Sequence, residues 1–182
     1  FNKTTPDQIR SEIANLTKAG AARMVLDLRG TAFGENEAGL AAARLFVGSG
    51  TLAYRQERGK SKEPVATGAG DGSMTMPVAV LTDLGTSGPA ELFAAAIADN
   101  RRGALVGERT LGRAGRQRLV RLPDGSGLLL THLLYLTPAE KVINEKGLTP
   151  DLAVEQPDVE FGQPLPTIDA TINKAVEHLK TK

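Results

Sequence analysis

Two short segments hold most of the residues that could do chemistry: Gly85-Thr86-Ser87-Gly88-Pro89, and the run from Arg113 through Arg116 and Gln117 to Arg118 and Arg121. The first offers hydroxyls on a glycine-proline turn. A hydroxyl attacks a carbonyl carbon only when a neighbouring base removes its proton, so Thr86 and Ser87 need a partner. The second segment cannot supply one, because a guanidinium keeps its proton and does not act as a base. Arg113 has two readings: a solvated cation on the wet face of a strand, or a bidentate clamp for a carboxylate such as a peptide C-terminus. Absence of cysteine excludes thiolate nucleophiles and thiolate metal ligands. The two histidines, His132 in an apolar stretch and His178 near the C-terminus, have no carboxylate at ligand spacing, so neither a metal nor another cofactor is expected. Asp27, Asp83, Glu91 and Glu108 read as structural, with Glu91 placed in a first helical turn where the dipole favours a negative charge.

The elements that must position these groups read as alternating helices and strands. A helix starts at Thr5-Pro6-Asp7-Gln8, with Thr5 as N-cap and Pro6 in the first turn, and carries Ile9, Ile13 and Leu16 on one face. The apolar run 23–29 is a strand. Residues 37–46 form a helix, and 51–55 a strand. The stretch 56–73, poor in apolar residues, is a surface loop or hairpin. Residues 77–82 form a buried strand, the Gly85 to Gly88 turn leads into an apolar helix over 89–98, and 105–107 is a short strand. Residues 117–122 and 128–134 flank Pro123-Asp124-Gly125-Ser126-Gly127 as a β-hairpin. A strand at 152–154, a Pro-rich linker (Pro157, Pro164, Pro166) and a helix over 167–179 complete the chain. Helices between buried strands make an α/β fold.

The 182 residues suit a single domain over 1–182. Aromatic residues are only 4%, so Val, Leu, Ile and Ala must build the core. A net charge of +1 gives no reason to expect nucleic acid as a partner. No apolar run approaches the roughly 20 residues that span a bilayer. The chain opens at Phe1 without a leader-like segment and is expected to be a piece of a longer precursor.

Several stretches, in order, resemble the carboxy-terminal processing (tail-specific) serine peptidases: Leu26-Asp27-Leu28-Arg29-Gly30, Gly85 to Glu91, Val106-Gly107-Glu108-Arg109-Thr110-Leu111-Gly112, Asp124-Gly125-Ser126, Leu130-Thr131, Tyr135-Leu136-Thr137-Pro138 and Gly147-Leu148-Thr149-Pro150-Asp151. The resemblance implies a ClpP/crotonase-like α/β fold, a twisted, mostly parallel sheet flanked by helices with an added β-hairpin. It also implies a Ser nucleophile at a helix N-terminus, a Lys base in a later turn, and a Gln four residues on that orients the Lys. Aligned without gaps from Gly85 to Gln117, the nucleophile position is Gly88, the base position is Arg113, and Gln117 keeps the orienting position. The oxyanion hole takes one donor from the residue after the nucleophile, here Pro89, which has no N–H. The other comes from the glycines after the first strand, where this chain has Thr31-Ala32-Phe33-Gly34. Loss of one such donor costs a serine protease about 3–4 kcal/mol of transition-state stabilisation.

The resemblance therefore implies a peptidase-like domain that is catalytically silent and binds a peptide or protein C-terminus, in the bacterial envelope, periplasmic or secreted. A PDZ domain, usual in the family, is expected upstream of Phe1 or not at all. One alternative is an active serine endopeptidase with a rearranged site, using Ser87. The other is a module for a small apolar ligand, a use known among related retinoid-binding domains.

Overall fold

The structure is a computed structural model and describes residues 1–155 and 168–182. Its elements in chain order are α1 (Thr5–Lys18), β1 (Met24–Asp27), α2 (Asn36–Ala43), β2 (Thr51–Glu57), β3 (Glu63–Ala66), β4 (Val78–Thr82), α3 (Pro89–Asp99), β5 (Gly103–Gly107), β6 (Gly115–Arg121), β7 (Gly127–Leu136), β8 (Leu152–Ala153) and α4 (Ala170–Lys180).

The strands whose residues are apolar on both faces form a four-stranded sheet in the order β1-β4-β5-β8, parallel at every junction. Such strands must be covered on both sides. All five residues of β4 are buried, and their alternation divides them between two cores. Val78 and Val80 face a large cluster with Leu40, Phe46, Leu52, Leu92, Phe93 and Ile97. Ala79 and Leu81 face a smaller one closed by Ala175 and Leu179 of α4. This is the mostly parallel, helix-flanked sheet expected from the sequence.

The expected hairpin, β6 with β7, is half of a second four-stranded sheet in the order β3-β2-β7-β6, antiparallel throughout. Its β3 comes from the segment read as a loop or hairpin, where Val65 supplies the buried contact.

Between these layers lies α3, whose residues Pro89 to Ile97 are all buried. A helix surrounded by protein can be apolar all round, which explains its Leu-Phe-Ala-Ala-Ala-Ile run. The neighbouring α2 approaches so closely at Gly39 that a Cβ there would lie 2.2 Å from the Pro89 carbonyl oxygen. Only glycine permits that contact.

Two helix starts differ from the sequence reading. The N-cap of α1 is Thr4 rather than Thr5, because the Asn2 side chain accepts from the amides of both threonines and sets the turn one residue earlier. The last helix, expected over 167–179, runs from Ala170 to Lys180, since Asp169 takes the cap by accepting from the Ile172 amide. Residue 167 and the Pro-rich linker fall outside the described residues. No helix among the described residues is long and apolar enough to cross a membrane.

Asp169 also ties α4 to the parallel sheet. Arg29, just beyond β1, pairs with Asp169 at 2.8 Å and with Asp27 at 2.6 Å. The hydrogen bonds from Arg29 hold both carboxyls below the usual carboxylate range. Depressed folded-state values mean that this contribution is complete above about pH 4 and is lost as the pH falls through the folded-state values. Asp169→Asn keeps a cap and loses the charge, so it should cost under about 1 kcal/mol. Asp169→Ala loses both and should cost about 1–2 kcal/mol. Urea unfolding at neutral pH should separate the two variants, and the gap between wild type and Asp169→Asn should close below about pH 4.

Candidate functional site

The loops that leave the C-terminal ends of β1, β4 and β5 are fastened to one another. The Gly30 amide donates to Asp83 at 3.0 Å, and the Thr86 hydroxyl lies 3.0 Å from both the Leu28 carbonyl and the Asp83 carboxylate. The Ser87 amide donates to the Thr31 carbonyl and the Leu111 amide to the Thr86 carbonyl, each at 3.0 Å. These bonds fix the turn that starts α3.

At the base of that turn Glu91 is completely buried. Its carboxylate accepts from the amides of Gly88 (3.0 Å), Gly112 (2.7 Å) and Arg113 (2.7 Å) and from the Thr110 hydroxyl. Thr110 in turn accepts from the Leu148 amide at 2.8 Å. A carboxylate is tolerated in such an apolar helix only when its lone pairs are met, and here four donors meet them. Glu91 thereby links the Gly88 turn to the Arg113 loop. The sequence reading gave it a dipole role alone; the signal for more was its place three residues after Gly88, the N3 position of a capping box.

Above this link lies a pocket of about 620 Å³ lined by Gly34, Ser87, Gly88, Pro89, Arg113 and Gln117, among others. Five of the six residues singled out from the sequence therefore share one cavity. Phe33 does not line it, and its side chain is 86% exposed. Gly88 has φ +59° and ψ −119°, a conformation that residues with a Cβ rarely adopt. A Cβ built there would nonetheless meet only ordinary van der Waals contacts, the nearest being Asn36 Oδ1 at 3.8 Å. Room for a side chain exists where none is present.

The amides at the start of α3 are not free. That of Gly88 is taken by Glu91, Pro89 has none, and that of Ala90 donates to the Ser87 carbonyl at 3.3 Å. Ser87 is buried, and its hydroxyl donates to the Ala32 carbonyl at 3.2 Å, which secures the first loop. Arg113 is exposed at the pocket, and among the described residues its guanidinium has no hydrogen bond or ion pair. Neither His132 nor His178 lines the pocket, nor does any lysine among the described residues.

The opposite wall was not legible in the sequence. Glu37 of α2 accepts from the Tyr135 hydroxyl at 2.9 Å and from Arg55 at 2.7 Å. Burial, together with the Glu37 carboxylate, raises the Tyr135 phenol above its ordinary value. This cluster joins α2 to the antiparallel sheet and closes the pocket on that side. It unites residues 98 positions apart, which no local pattern announces.

The model of peptidase family S41 matches residues 1–154. A carboxyl-terminal-processing protease of Synechocystis is 33% identical over 179 residues, covering 98% of this chain and 42% of that protein. The carboxy-terminal processing protease CtpA of Bacillus subtilis is 32% identical, covering 93% of this chain and 36% of that protein. The solved structure of a photosystem II D1 C-terminal processing protease superposes with a TM-score of 0.76 at 34% identity, over 85% of this chain and 40% of that one. This chain thus spans about two-fifths of the length of these relatives.

Glu91→Gln would set an amide NH₂ against backbone N–H groups and leave at least one of them without an acceptor. It should destabilise the fold by at least about 2 kcal/mol. Gly88→Ala meets strain but no clash and should cost about 1–2 kcal/mol. Urea unfolding of both variants checks that order.

Proposed function

Because the chain belongs to peptidase family S41, the family of C-terminal processing peptidases, we propose that this domain binds a peptide or protein C-terminus without cleaving it. The reading rests on one observation: in the pocket the expected nucleophile position is a glycine, the expected base position is an arginine, and the amides that begin α3 are absent or already bonded. Acyl transfer needs an oxygen nucleophile, a proton acceptor and donors aimed at the developing oxyanion. The first is wanting at Gly88, the second at Arg113, and the donor expected after the nucleophile at Pro89.

Binding needs none of them. A C-terminal carboxylate can take two parallel N–H bonds from the Arg113 guanidinium, with Arg116 on the same wall. The acids and arginines that line the cavity suit an extended peptide better than a small apolar molecule. Ser87 is no substitute nucleophile, since its hydroxyl is held by a backbone carbonyl with no base bonded to it among the described residues. The proposed setting is the bacterial envelope, periplasmic or secreted, on the strength of the family resemblance.

Two measurements test this. A fluorophosphonate probe should leave the purified protein unlabelled; labelling that disappears in Ser87→Ala would overturn the reading. A peptide with a free C-terminus should bind about tenfold or more tightly than its C-terminal amide, the difference made by one charge-assisted pair. Arg113→Ala should abolish that preference.

A further inference from the structure

We infer that the outer strand β6 reads the sequence of the bound segment, selecting acidic residues and an apolar residue about four positions before its C-terminus. This rests on the proposal that the C-terminal carboxylate sits at Arg113.

The pocket wall continues along the hairpin. Gln117 of β6 and Thr131 of β7 are cross-strand partners, and both line the pocket. Side chains two residues apart on a strand share a face, so the next pair on this face is Leu119 with Leu129. These leucines are 59% and 58% exposed, and nothing among the described residues covers them. Two large aliphatic side chains paired across strands, in line with a binding pocket, provide an apolar shelf. With the carboxylate held by Arg113 just before β6, the last residue of the segment falls opposite Gly115, the first residue of the strand, and Leu119 lies four residues further, about 14 Å along it.

Charge on β6 decides what lies along its outer edge, beside the shelf. Arg121 shares the face of Leu119, whereas Arg118, paired with Leu130, points to the other face of the hairpin, on the side of Glu57, so arginines flank the outer edge of β6 on both faces. Because β6 is the outermost strand of its sheet, its outer edge can accept another strand. Two copies of this edge joined by a twofold axis would set arginines against arginines, which is unfavourable. An acidic segment meets the same row with opposite charge. With its C-terminus at Arg113, near the start of β6, the segment runs antiparallel to β6 and extends a sheet already antiparallel throughout.

The test uses fluorescein-labelled decapeptides with a free C-terminus, glutamates at alternate positions and leucine four residues before the end, followed by fluorescence anisotropy on the whole protein. Replacing the leucine by serine should weaken binding about tenfold, and replacing the glutamates by glutamine should weaken it further and flatten its salt dependence. The exposed double variant Leu119→Ser/Leu129→Ser should lose the leucine preference and keep the preference for a free carboxylate. If the carboxylate preference depends on Arg113 while peptide sequence and the hairpin variant make no difference, the inference falls and the proposed function stands. If no peptide binds, both fall. Sedimentation showing a dimer that the hairpin variant dissociates would assign the shelf to a second copy and also overturn the inference.

Discussion

A carboxylate inside an apolar helix is the constraint on which the rest of the site depends. Removing Glu91 from water has a large cost that only a full set of donors offsets, and those donors come from two segments, the adjacent Gly88 turn and the loop from Thr110 to Arg113. The Gly88 turn, the loop with Gly112 and Arg113, and Thr110 can satisfy it together only if the loops after β4 and β5 meet above α3. The parallel sheet sets where those loops start, and α3 sets where they must end. This relation uses backbone amides rather than the side chains of residues 88 and 113. The positions stay aligned whichever side chains occupy them, so the site can keep its shape while its chemistry changes.

The readable parts of the sequence were those with local causes. Strand β4 and helix α3 are apolar on every face, and their length and flanking turns separate one from the other. Gly88 and Pro89 announced a helix start by the residue types that begin helices, and the pocket does gather Gly34, Gly88, Pro89, Arg113 and Gln117. What escaped depends on distant partners. The hairpin was legible from its turn, but a two-stranded pattern does not state which strand lies beside it, so the joining of β7 to β2 was not foreseen. The Glu37, Arg55 and Tyr135 cluster was hidden for the same reason. Thr5 lost the cap of α1 to Thr4 because Asn2, a residue outside the helix, bonds the local amides. In each case an interaction from outside the segment overrode a preference within it.

The two sheets divide the work along physical lines. The parallel sheet is covered on both faces and tolerates little change, since any alteration in volume is felt by close-packed neighbours. It holds the geometry of the site. The antiparallel sheet has an open edge and an exposed hairpin, where substitutions cost little stability, so charge and apolarity there are free to follow a partner. Changes along the antiparallel sheet can therefore alter what is bound while the parallel sheet keeps the pocket in place.

The serine and lysine that the family resemblance implies at residues 88 and 113 are not restored by one step. A serine at residue 88 has room for its side chain, yet its hydroxyl would face an arginine that cannot take the proton. A lysine at residue 113 would serve as base only if the pocket drew its affinity for protons down, which an exposed position does not do. Even with both, Pro89 still lacks the N–H that an oxyanion requires, and the amides on either side are bonded to Glu91 and Ser87. The bonds that hold the pocket in shape thus occupy the amides at the first turn of α3, and an oxyanion donor would have to come from the loop after β1.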